Sequence, residues 1–338
     1  MITKRKNSYR INLQLRKYLT KYNREMELPI LYENLLRYNN SITLYDKNGK
    51  DTLWETVFYN HSDVEEINEA LKKIYADLKT DGDEKVIKHL NIDRVDICIY
   101  GNTHPFRVRI VNKVNDNFDY FYIKKADASR VYGLELEHLL SPNRIGYISF
   151  QDTLVEEHIA GIPADQFYEN QLKNPELNHI RLAKEFIKFN ERCLVQLLGD
   201  MHSSNYVIIT IPDFEETYFR IRPIDFDQQS YEAKRSVYLP QYFKQNNPIV
   251  QLGMQLMTSE SVKQYQIEER ALISGRIKSE KQRLYDLMDI MAKDDIAPAD
   301  NVDNLKKELA KYYEDNSFLK CKTMGEIVWK SLEIVMKH

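Results

Sequence analysis

The sequence predicts an α+β fold with strands and helices segregated along the chain. Two observations predict it. Period-two alternation of apolar residues is concentrated between residues 41 and 160 and again between 205 and 226, while apolar residues at helical spacing fill most of the rest. The two patterns do not alternate as strand–helix–strand units, so a parallel doubly wound sheet is not expected. A length of 338 residues suits two lobes, or one domain with an extension.

Residues 10–38 read as mainly helical. The stretch 41–60 reads as a β-hairpin turning at Asn48-Gly49. A helix follows, with Ser62 and Glu65 as a capping box, Val64, Ile67, Leu71, Ile74 and Leu78 on one stripe, and Gly82 as its end. "DRVDICIYG", "FRVRIVNKV" and "DYFYIKK" then form an antiparallel meander across 93–125. Residues 128–141 read as a helix, and "RIGYISFQ" and "TLVEEHIAG" as two strands. Gly161 and Pro163 break the pattern and mark a join. Residues 176–193 form a helix, and a short apolar piece, 194–198, leads into "LGDMHSSN". Strands are expected at "YVIITI" and "YFRIRPIDF". Beyond 232 the chain is helical, with amphipathic stretches near 281–292, 303–314 and 323–337. The expected division is an N-terminal α/β extension (1–90), a sheet-rich part (91–160) and a helical part (161–338).

Composition narrows the function classes. Lys and Arg number 48 against 51 Asp and Glu, a formal net charge of −3, so no basic bias points to nucleic acid or a membrane surface. Cys98, Cys193 and Cys321 are far apart, which speaks against a disulfide framework or a cysteine metal site and suits a reducing compartment. The basic N-terminus lacks an apolar core of signal-peptide length, and no apolar run is long enough to span a bilayer. A cytoplasmic protein is expected. Only ten glycines occur, which argues against a glycine-rich phosphate loop.

Two motifs carry chemistry. "LGDMHSSN" (198–205) packs Asp200, His202 and Asn205 between apolar segments; alone, it also has the composition of a polar turn. "RPIDFDQQ" (222–229) sets Asp225 and Asp227 after a strand, a carboxylate pair suited to Mg²⁺. The chain between the motifs patterns as a hairpin, which returns Asp225 beside Asn205. An amide and a carboxylate at one metal, with Asp200 next to them, is a layout for phosphoryl transfer.

With these residues the chain, over about 93–230, resembles the protein-kinase-like fold, a bilobal α+β architecture with an antiparallel β N-lobe and a mainly helical C-lobe. The Asp-x-His-x-x-Asn form is similar to the aminoglycoside and choline-type phosphotransferase branch. The resemblance implies ATP and Mg²⁺ as cofactors. It implies Asp200 as the base or hydroxyl-positioning carboxylate, Asn205 and Asp225 as metal ligands, with Asp227 of the acidic pair as a further candidate metal ligand, and His202 as a brace. It implies a strand lysine on the phosphates, Lys124 with Lys125 as the alternate. It implies a helix glutamate to pair that lysine, Glu137 in preference to Glu135. It also implies an adenine-holding strand at "VEEHIAG", with backbone groups of Glu157 and Ile159 as candidates. These features occur in the family's order. One departure stands out: the segment before the lysine strand has a single glycine, so Gly101, Asn102 and Thr103, with His104 beside them, must cover the phosphates. No Ala-Pro-Glu segment follows Asp225; "SYEAKRSVYLPQYF" stands there, and its Lys234 and Arg235 suit either an anionic acceptor or a solvated strand. A small-molecule hydroxyl is therefore the expected acceptor. A protein Ser/Thr kinase, a pseudokinase scaffold and a nucleotidyl transferase are the alternatives, and neither acceptor identity nor oligomeric state is legible.

Overall fold

The computed structural model describes residues 6–80, 82, 84–100, 103–213 and 217–337. It is a mixed α+β structure, with an antiparallel sheet in the N-terminal region and helices in the C-terminal part. The chain divides into two compact units, Met1–Asp127 with Ile145–His158, and Ala128–Arg144 with Ile159–His338.

The first unit holds α1 (Leu13–Lys21), α2 (Tyr32–Leu35), β1 (Asn40–Tyr45), β2 (Asp51–Phe58), α3 (His61–Thr80), α4 (Glu84–Ile87), β3 (Leu90–Cys98), β4 (Phe106–Asn112) and β5 (Phe118–Lys125). After an excursion into the other unit come β6 (Tyr147–Phe150) and β7 (Thr153–Glu157). The strands form one antiparallel sheet in the order β1-β2-β3-β4-β5-β7-β6. Val95, Ile97, Phe106, Val108, Phe121, Ile123 and Val155 line one face, and α3 buries Ile67, Leu71 and Ile74 in the same core. Alternation sends the intervening residues to the opposite face. Register sets Thr56, Asp96, Arg107, Tyr122 and Glu156 side by side across five strands, with Lys124 two residues along β5. This polar face is what places Lys124.

Three expectations change here. Residues 10–38 are helical only in α1 and the short α2. Between them the chain, which contains Pro29, runs extended beside β6, with a parallel bridge from Glu25 to Ser149. Ser62 lies in the first turn of α3, its hydroxyl bonded to Asp63, and the first helical bond runs from Val64 N to Asn60 O, so no capping box forms around Ser62. The three-part division gives way to two units, because the 41–60 hairpin pairs edge-on with β3 and extends the same sheet.

The second unit begins with α5 (Ala128–Leu140), in which every residue except His138 is buried. It continues with β8 (Ile162–Pro163), α6 (Ala164–Asn170), α7 (His179–Gln196), β9 (Tyr206–Pro212), β10 (Thr217–Pro223), α8 (Asn247–Leu256), α9 (Ser259–Ser279), α10 (Lys281–Met291), α11 (Ala299–Tyr313) and α12 (Met324–Met336). Strands β10, β9 and β8 form a small antiparallel sheet. Helix α7, capped by the Asn178 side chain, is the centre of the unit. It buries Leu182, Phe186, Phe189 and Leu194, and its Arg192 reaches Glu269 at 3.2 Å and Glu185 at 2.9 Å. The apolar piece 194–198 continues this helix to Gln196. The stretch 230–243 is likewise no surface strand: it forms short 3-10 turns and buries Tyr238, Leu239 and Pro240. Among the described residues no helix is long and apolar enough to cross a membrane.

Candidate active site

The loop 198–205 is tied down at both ends. Leu197 closes α7 in the left-handed region at φ 54°, and its carbonyl accepts from Ser230 N at 2.8 Å. Leu198 bridges Gln229, and Gly199 N donates to Gln228 O at 3.2 Å. A Cβ on Gly199 would stand 2.8 Å from that same carbonyl, so the close approach needs glycine. The 198–200 strip therefore lies directly against the 228–230 strip.

Asp200 is also left-handed, at φ 61°, a conformation that Asp tolerates better than most residues. Its N–H donates to Val237 O at 3.1 Å, and its carbonyl accepts from His202 N and from Asn205 Nδ2, both at 2.9 Å. Burial pushes its carboxyl up to about 7, with Asp225, Glu232 and Asp227 adding like-charge repulsion. A carboxyl poised there suits a general base. His202 accepts from Ser204 N through Nδ1 at 3.4 Å and packs edge-on to Phe243; burial lowers its pKa, so it braces the loop as a neutral ring.

Strands β9 and β10 carry the loop to the second motif. Their register ends at Tyr206 opposite Pro223, and Ile224 N donates to Asn205 O at 3.0 Å. Asn205 and Asp225 thus flank one backbone hydrogen bond. The Asn205 amide nitrogen is committed to Asp200 O. Asp225 Oδ1 accepts from Asp227 N at 3.1 Å. One amide oxygen and a carboxylate form a hard oxygen set, the kind Mg²⁺ takes while keeping water or phosphate for its other positions. Among the described residues no group of three or more His, Cys, Asp or Glu side chains could cage a metal, so an all-protein metal centre is not available. The donors fit a partly hydrated Mg²⁺.

The remaining predicted residues fall elsewhere. Lys124, 7% exposed, is bonded through Nζ to Glu156 Oε2 at 2.7 Å within the first unit. Lys125 is exposed and only loosely paired with Glu33, at 3.4 Å, which separates the two lysines. The expected partner of Lys124, Glu137, is corrected to Glu156. Glu137 belongs to α5 in the second unit, where it is buried near Arg192 with Ser141 and Asn143. Burial raises its pKa against the opposing pull of those groups. Glu135 is held by Arg283 in a two-pronged pair, at 2.8–3.1 Å. The Glu157 N–H, an expected adenine contact, is already bonded to Gly146 O at 3.0 Å, and the Glu157 side chain reaches Lys79 and Gly146 N. Ile159 is buried. Gly101 and Asn102 lie outside the described residues. The Thr103 and His104 carbonyls face the Tyr32 hydroxyl, and the His104 ring meets Cys98 O, as a turn histidine does.

Sequence reasoning missed two residues. Glu156 was visible as an acidic residue in an otherwise apolar strand that pairs with β5. Arg130 gave no signal; it lies in the first turn of α5 with a side chain 2% exposed, and its Nη2 contacts Asp227 Oδ1 and stands 3.5 Å from Asp225 Oδ1.

No family model matches the chain, and no curated protein sequence matches it. Solved kinases overlap with part of it. The autoinhibited serine kinase domain of the giant muscle protein titin is 12% identical over 58% of this chain and 81% of that one, with a TM-score of 0.28. Titin kinase with its flanking domains is 14% identical over 56% and 44%, also at 0.28. The Rad53 kinase domain with SCD2 is 14% identical over 53% and 80%, at 0.21.

Proposed function

We propose that the chain is an ATP- and Mg²⁺-dependent phosphotransferase of protein-kinase-like type that transfers the γ-phosphoryl group to a hydroxyl, of a small molecule in preference to a protein. The observation that carries this is the junction at Asn205: its carbonyl is bonded to the residue before Asp225, while its amide nitrogen holds the Asp200 carbonyl. One residue thus fixes a carboxylate suited to a base and a carboxylate suited to a metal.

On this reading Asp200 accepts or aligns the acceptor's proton, Asn205 and Asp225 hold Mg²⁺, and Lys124 meets the phosphates. Mg²⁺ supplies charge neutralisation of the transferring phosphoryl group. The protein's own contribution is positioning and fixed charge. Glu156 keeps Lys124 extended, the role first expected of Glu137.

The test is ATP consumption against pooled small metabolites, followed by ³¹P NMR. The expected result is Mg²⁺-dependent ADP with a new phosphomonoester, reduced by a factor of at least 10² in Asp200→Asn. AMP with an adenylated product would make the chain a nucleotidyl transferase. ATP binding with no ADP release from any pool would make it a nucleotide-binding module.

A further inference from the structure

A cavity of about 570 Å³ opens in the first unit, on the side of the sheet covered by α3. Helix α3 brings Glu69, Lys72, Lys73 and Asp77 to it at helical spacing. Two further lysines reach it from the sheet: Lys88, which precedes β3, and Lys113, which follows β4. The strand pairing carries them to one end of the ladder. Leu90 stands opposite Asn112, and Lys113 N donates to His89 O at 2.7 Å. Phe121 and Ile123 of β5 pack in the same core as α3, so Lys124 lies on the other face of the sheet, away from this cavity.

Among the described lining residues, four ammonium groups face two carboxylates. Both carboxylates are engaged on α3 itself. Glu69 Oε1 accepts from Lys72 Nζ at 2.6 Å, and Lys73 opposes the rise that burial gives the Asp77 carboxyl. Neither Lys88 nor Lys113 has a carboxylate partner among the described residues. A cleft lined by an excess of one charge focuses its potential inward and draws counter-ions. The ammonium group binds phosphate as a point charge. The volume falls within the roughly 300–1,000 Å³ of small-molecule sites and exceeds what one phosphate fills. We propose that this cavity is an anion site separate from Lys124, taking a small ligand that carries several phosphate groups. Lys88 and Lys113 grip the ligand, and Lys72 and Lys73 complete the cationic wall. The site does not depend on the reading of the acidic loop as a Mg²⁺ site.

Isothermal titration of the full chain with tripolyphosphate, in EDTA so that no divalent ion takes part, tests this. Saturable binding of one tripolyphosphate per chain is expected, weakening as salt is raised. Lys88→Gln/Lys113→Gln is expected to bind at least about tenfold more weakly, since two charged contacts are lost. Lys88→Arg/Lys113→Arg keeps the charge and is expected to stay within about threefold of wild type. Lys124→Met/Glu156→Gln is expected to bind as wild type does. Lysine acetylation read by peptide mass spectrometry locates the ligand on the unaltered chain: tripolyphosphate is expected to protect Lys88 and Lys113. That measurement still decides if the glutamine variant does not fold by circular dichroism. No binding, no protection of these lysines, or full binding by a folded glutamine variant overturns the proposal. Loss of binding in the Lys124 variant alone also overturns it, by moving the anion to the other face of the sheet. Equally tight binding of citrate overturns the assignment of a phosphate ligand. None of these results bears on Asp225, so the phosphotransferase reading stands or falls separately.

Discussion

Asp200 shows how one residue can be held against its own preferences. It sits at positive φ, partly buried, among like charges, with a carboxyl pushed up to about 7. A carboxyl raised in the folded state favours folding at low pH. Below the unfolded value near 4 both states are protonated; between about 4 and 7 only the unfolded state ionises, and folding loses stability across that window. In metal-free protein Asp200→Asn, which also tolerates the left-handed backbone, is therefore expected to raise stability by about 1–2 kcal/mol at pH 8, allowing for solvent screening, and by little at pH 4. Urea unfolding at the two pH values checks it. Lys124 calls for a different design. Lys124→Met removes the buried cation from Glu156, with an expected loss of about 3–5 kcal/mol, while Lys124→Met/Glu156→Gln loses markedly less. Only the double variant separates loss of nucleotide binding from loss of fold. At this scale the loop positions of Asp200 and Asn205, the position of Asp225 just after β10 and the strand position of Lys124 were legible, because motif spacing and strand alternation are local. Glu137 was misassigned because a helix glutamate's partner is set by where the helix docks, which its sequence does not state.

Helix α5 is where local pattern ran out. Its span was legible from composition, but it is buried around nearly its whole circumference, charged residues included, so no apolar stripe indicated which neighbour it would meet. The meander, the Asn48-Gly49 hairpin and the C-terminal helices were legible because each signal repeats within the element. The extended stretch between α1 and α2 was not, since its structure depends on β6, over a hundred residues away. Packing between elements gives a matched pair of tests. Gly325 opens α12 against the end of α10, and a Cβ there would run into the carbonyl of Met291; Gly325→Ala is expected to cost at least about 2 kcal/mol. Gly275, inside α9, has open space around its Cβ position, so Gly275→Ala is expected to stabilise by about 0.5–1 kcal/mol. Denaturant midpoints for both variants decide whether these helices pack as described.

For the whole molecule, the chain's division into units assigns the proposed chemistry unevenly. The base, the metal ligands and Arg130 all belong to the second unit, while Lys124 and Glu156 belong to the first. The sequence led to a boundary near residue 90 because the pattern changes there; the structure places 41–60 in the same sheet as 93–125, since hairpins extend a sheet wherever an edge is open. On the proposed reading Asp225 is a ligand for ATP-bound Mg²⁺. Thermal unfolding of wild type and Asp225→Ala, with millimolar ATP and with or without Mg²⁺, tests it most directly. A ligand present at about 100 times its Kd adds about 2.7 kcal/mol. A Tm rise of a few degrees that requires Mg²⁺ and is absent in Asp225→Ala is therefore expected. No rise in the wild type, or an equal rise in the variant, would contradict it.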